Sequence, residues 1–202
     1  MKNALIRMNK FALLLSVILF SKSLSAQQKL FDVSLFGKKV GDLKIERIEL
    51  SPIRETIKMI NEIAIKSIMI NRWSKTLLNT LWENKVLIDS DYDFKSESAS
   101  MKVRMFFNKT HYGVKTDTSN AILNCGPIKC TTNRLFFEEP INHTHVFSEK
   151  FTKYFPLKKY AANEYGFTVS DGTVNIYKYK NGNLYEIEIR KPFGTGYVRL
   201  VN

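Results

Sequence analysis

The feature that most constrains this chain is side-chain alternation with a period of two, broken by two-residue turn signals. Leu184 to Arg190 sets Tyr185, Ile187 and Ile189 on one side and Glu186, Glu188 and Arg190 on the other, the pattern of a strand with one face buried. Asn181-Gly182 precedes it, a pair that tolerates positive φ at both positions and closes a tight hairpin. Upstream lie a strand over 174–180, a second hairpin signal at Asp171-Gly172 and a strand over 165–169; 196–201 ends the series. Residues 165–202 therefore read as a four-stranded antiparallel meander.

The front half repeats the pattern. Lys29 to Phe36 reads as a strand, Gly37-Lys38-Lys39 as a turn and Gly41 to Leu50 as a strand. The inward face of the latter switches from Leu43 and Ile45 to Ile48 and Leu50, which predicts a bulge. Ile53, Ile57, Ile60 and Ala64 would share a helical face, but six isoleucines between Ile57 and Ile70 favour a strand, because β-branched side chains are stiff in a helix. Strands follow at 74–82, 86–89, 91–97, 101–107 and 112–115. Turns spaced roughly 8–12 residues apart predict an all-β chain: a single antiparallel wrapped sheet, open barrel or sandwich.

The N-terminus carries a different message. Lys2, Arg7 and Lys10 precede an apolar run from Phe11 to Phe20, and small residues follow at Ser23, Ser25 and Ala26. This is the layout of a signal peptide over 1–26 ahead of one β-rich domain over 27–202. The run is shorter than the ~20 residues of a spanning helix, and no transmembrane helix is expected in the mature chain. The expected location is the periplasm or cell envelope, or outside the cell. Removing 1–26 takes four bases and no acid, so the net charge falls from +12 to +8. About a third of the basicity is targeting signal, which argues against a nucleic-acid partner.

The chemistry-bearing residues are few. Cys125 and Cys130 are the only cysteines; in an exported chain, with a Gly-Pro turn between them, they predict a disulfide. His143 and His145 would share a strand face, with His111 distant in sequence; no metal ligand set and no cofactor are expected. Glu139 and Glu149 could serve a glycosidase as paired carboxylates, but no nucleophile elbow, P-loop or H-E-x-x-H occurs. They are expected to be structural, with a glutamine at either position costing stability. Lysines interleave with aromatics from Lys150 through Lys153 to Lys158 and Lys159. If the strands wrap into a trough lined by Tyr185, Ile187 and Ile189, these lysines would rim its mouth. Such a site suits an anionic amphiphile; an envelope protein is the other expected partner. The leading expectation is a non-catalytic exported binding domain. Its rivals are a small envelope hydrolase using Glu139 and Glu149 and a small outer-membrane barrel.

Three stretches carry a family likeness: Phe31 to Asp42, Arg134 to Pro140 with Val146 to Glu149, and Asp171 to Leu184. On these the chain resembles a domain-of-unknown-function family of exported, β-rich Bacteroidota proteins. The resemblance covers essentially the mature chain and implies a signal peptide, an all-β domain and no assigned activity.

Overall fold

A computed structural model describes residues 25–66, 71–192 and 194–201. The expected signal peptide therefore lies, but for Ser25 and Ala26, outside the described residues. Fifteen strands form: β1 (Ala26–Leu35), β2 (Lys38–Ser51), β3 (Arg54–Lys66), β4 (Asn71–Glu83), β5 (Val86–Ser96), β6 (Ser100–Phe107), β7 (Tyr112–Thr116), β8 (Asn120–Leu123), β9 (His145–Ser148), β10 (Lys153–Pro156), β11 (Lys158–Ala161), β12 (Glu164–Thr168), β13 (Val174–Lys180), β14 (Asn183–Lys191) and β15 (Gly194–Leu200). Thirteen make one antiparallel sheet in the order β11-β12-β13-β14-β15-β1-β2-β3-β4-β5-β6-β7-β8; β9 and β10 pair apart from it. The sheet is not closed: β11 and β8 are its edges.

The expected meander over 165–202 is present as β12 to β15. Asn181 and Gly182 turn between β13 and β14 with φ of 52° and 75°, as the hairpin signal requires. Asn84 and Lys85 do the same without a glycine, at 50° and 62°. The isoleucine-rich run is strand β3 as far as Lys66, and the two short strands expected over 86–97 are one strand, β5.

Two expectations about facing are corrected. In β2 the inner face does not switch to Ile48 and Leu50. It continues from Leu43 and Ile45 to Arg47, while Leu50 is exposed. The sequence suggests a switch because position 47 is charged, yet Arg47 faces inward onto Glu55 of β3 and Glu138. Where β13 pairs with β14 a register shift lies between Lys178 and Tyr179, so that Tyr179 pairs with Leu184 and Lys178 with Glu186. Leu184 is thereby buried and Tyr185 turned outward, 43% exposed, whereas Ile187 and Ile189 face in as expected. A bulge inverts the alternation at one point.

Two rows of inner side chains hold the wrap. Tyr165, Tyr177, Ile187, Val198 and Val33 stand in register across β12, β13, β14, β15 and β1. Ile45, Met59, Leu78, Tyr92 and Val103 do so across β2 to β6. Each buried side chain of this size contributes about 1.5–3 kcal/mol. The hollow is filled by the chain itself. Segment 124–157 runs inside the wrap and buries Ile128, Cys130, Leu135, Phe136, Val146, Phe147 and Phe155. Phe136 meets Phe31 and Tyr177 edge-on, and Phe155 lies 5.6 Å from Phe167.

Candidate functional site

Segment 124–157 decides what each candidate residue can do. Its entry is drawn out straight: Ile128 accepts from Leu87 N at 2.9 Å, and its own N–H donates to the Tyr112 hydroxyl, which donates to Leu87 O. The run 124–130 has no regular structure, with Gly126 at φ 65°. The expected disulfide is therefore overturned: Cys125 and Cys130 are free thiols. Cys130 is packed into the core, where burial pushes its thiol up to about 12. A short spacing brings two cysteines together only when the turn between them folds back, and the anchor at Ile128 prevents that.

A polar cluster ties the segment to the sheet. Arg134, on a 3₁₀ turn over Arg134–Phe136, donates through Nε and Nη2 to both oxygens of Glu138, each at 2.7 Å. Its Nη1 lies 2.9 Å from Glu55, and its guanidinium sits 4.6 Å over the Trp82 ring. Lys29, buried on the inner face of β1, donates to Phe136 O at 2.9 Å, and burial lowers its pKa. Tyr179 donates to Leu135 O at 2.7 Å. These groups connect wrap and filling.

The two candidate carboxylates are in different surroundings. Glu149 is 1% exposed; it accepts from the Thr132 hydroxyl at 2.7 Å and leaves Oε1 without a partner. Burial raises its pKa. Glu139 lies with Lys129, Cys130, Arg134, Leu135, Glu138, Pro140 and His143 around a shallow pocket of about 20 Å³, room for a water molecule or two. Glu149 and His145 do not line that pocket. Among the described residues no three His, Cys, Asp or Glu side chains stand together as a metal-binding group.

The candidate lysines divide into two sets. Lys158 and Lys159 lie on the edge strand β11, opposite Gly166 and Tyr165; as successive strand residues they point to opposite faces. Lys150 and Lys153 lie at the end of the wrap where β12 turns into β13 and β14 into β15. Lys153 donates to Ser170 at 2.6 Å. The Lys150 ammonium lies 5.0 Å from the Phe151 ring and 5.8 Å from that of Phe94, on β5 across the mouth. Desolvation lowers its pKa; Lys191 lowers it further and Asp171 opposes. No carboxylate forms an ion pair with Lys150 among the described residues. Lys191, Asp171 and Phe94 are absent from the sequence-based set. The up-and-down order of hairpins carried the signal: it sets the 169–173 turn and the end of β14 at the same end of the sheet.

An open, wrapped antiparallel sheet filled by its own chain is a barrel-like all-β fold. The chain is similar in fold to a solved crystal structure, that of the β-barrel-like protein of domain of unknown function DUF1849 from Brucella abortus. The two align with a TM-score of 0.56 and 11% identity over 89% of this chain and 97% of that one. The chain itself belongs to the DUF6134 family, a domain of unknown function, which it matches over residues 31–201. The likeness drawn from Phe31–Asp42, Arg134–Pro140 and Asp171–Leu184 is thus to a real domain-of-unknown-function family. No curated protein matches the chain in sequence.

Proposed function

We propose that this protein is an exported, non-catalytic β-domain of the cell envelope that binds an anionic group at the mouth around Lys150. The observation that carries the reading is an ammonium set near two aromatic rings, with Asp171 and Lys191 both within electrostatic reach and no carboxylate ion pair among the described residues. Such a group gains by meeting a phosphate or carboxylate, which supplies the charge-assisted hydrogen-bond partner it lacks. Filling of the wrap by segment 124–157 favours a headgroup at the mouth over an acyl chain in the trough. The non-catalytic part of the reading is supported by Glu149, which is sealed from any substrate. Against a membrane barrel stands the outer row Glu46, Lys58, Asn79, Asp91 and Arg104, polar across five strands, since a lipid-facing band is apolar.

Flotation with vesicles of phosphatidylglycerol or of phosphatidylcholine, and titration with a short acidic peptide, test the reading and separate its two ligand sources. Binding to at least one anionic probe is expected, lost in high salt and in Lys150→Glu/Lys191→Glu. Equal binding to both vesicle types, or indifference to the double substitution, would dismiss the mouth. Mass spectrometry of the native N-terminus checks export separately: it should begin at Gln27 or Ala26.

A further inference from the structure

The two free edges of the sheet differ in how they are guarded. β11 opens with Lys158 and Lys159, and charge on an edge strand discourages pairing with another sheet. β8 reads Asn-Ala-Ile-Leu, with no charge at all. Thr116 N donates to Ser119 O at the turn into β8, and Val114 pairs with Ala121 and Tyr112 with Leu123. Antiparallel ladders alternate, so Asn120 and Ile122 turn their N–H and C=O away from β7, toward the side where no described strand lies.

The sheet surface beside this edge is apolar. Phe106, Gly113 and Ile122 stand in one row across β6, β7 and β8. The Phe106 ring lies over Gly113 so closely that a Cβ there would sit 2.3 Å from it. Phe106 is 52% and Ile122 65% exposed.

We infer that β8 is a self-pairing edge: two copies of this chain join β8 to β8 antiparallel about a two-fold axis at Ile122. A second copy is the occupant because the strand is complementary to its own reverse. With Ile122 on the axis, Ala121 meets the partner's Leu123 and Asn120 meets the partner's Asn124, so no like charges oppose each other. The pairing also joins Phe106 and Ile122 to their copies in one stripe of four apolar side chains, and the two Ile122 residues exchange both ladder bonds. Isologous contacts of this kind close on themselves and stop at the dimer. The strand is short, so the dimer dissociates on dilution.

Sedimentation velocity over a dilution series of the purified protein tests this. A reversible monomer–dimer equilibrium is expected. Ile122→Lys should raise the dissociation constant about tenfold or more without changing the melting temperature of the dilute protein. Ile122→Pro should do the same, because the N–H it removes faces away from β7; if it lowers the melting temperature, Ile122→Lys carries the test. Lys159→Glu, on the other edge, should leave the equilibrium unchanged. A protein monomeric at every concentration overturns the inference, as does a dimer untouched by Ile122→Lys. A monomer that instead captures an unrelated extended peptide at β8 also overturns it. Vesicle binding at the mouth should be the same in the Ile122 variants, which separates this surface from the proposed function.

Discussion

Glu149 is the residue whose role the structure changes most. In sequence it is one of two carboxylates beside aromatics, and a glutamine there is expected to cost stability. In the fold it is 1% exposed and accepts from the Thr132 hydroxyl at 2.7 Å, and burial raises its pKa above the ordinary 4.5 against the hydrogen bonds that oppose it. A carboxyl whose folded pKa is raised holds its proton longer in the folded state. Its burden is absent below the unfolded value and grows as pH rises from there toward the folded value. Glu149→Gln is therefore expected to match the wild type near pH about 4 and to exceed it near pH about 8. Urea midpoints across that range check this, and a variant less stable at every pH would refute it. Lys150 was legible from sequence as a basic residue among aromatics. Its partners Phe94 and Lys191, 56 residues before it and 41 after, were not, because long-range contacts leave no mark in local pattern.

At the scale of elements, alternation and turn chemistry foretold most strands, since both act over two to ten residues. Irregular pairings escaped. The shift between Val33 and Ser34, where β1 meets β2, lies opposite Gly41, and Gly41 is needed for close approach. A Cβ there would come 2.0 Å from the Glu62 carbonyl oxygen of β3. Backbone cannot yield as a side-chain tip can, so Gly41→Ala should destabilise the protein by about 1–3 kcal/mol. Hydrogen exchange should speed up first at the β2–β3 ladder near Gly41 and Ile63. Uniform protection with an unchanged melting temperature would show that the strands part without cost. Tyr185 makes the same point from the other side: one bulge moved it out of the face that Ile187 and Ile189 keep.

In the whole molecule, the pairing of β15 with β1 joins the C-terminal meander to the front strands, and segment 124–157 fills the wrap they form. Arg134 fastens that filling, contacting Glu138, Glu55 and Trp82 together. Arg134→Leu leaves Glu55, among the described residues, only Arg47 as a cationic partner and should cost about 3 kcal/mol, read as a lower urea midpoint with an unchanged slope. A loss under about 0.5 kcal/mol would mean the cluster is no fastening. The sequence by itself determined that this chain is all-β and antiparallel, and where most of its hairpins turn, because alternation and positive-φ turn residues are local properties. The tertiary structure decided that the sheet stays open and that the hollow holds its own chain. It decided too that the two cysteines stay apart and that Glu149 is sealed. Each of these depends on which distant surfaces meet, and burial, desolvation and pairing partners are set only when they do.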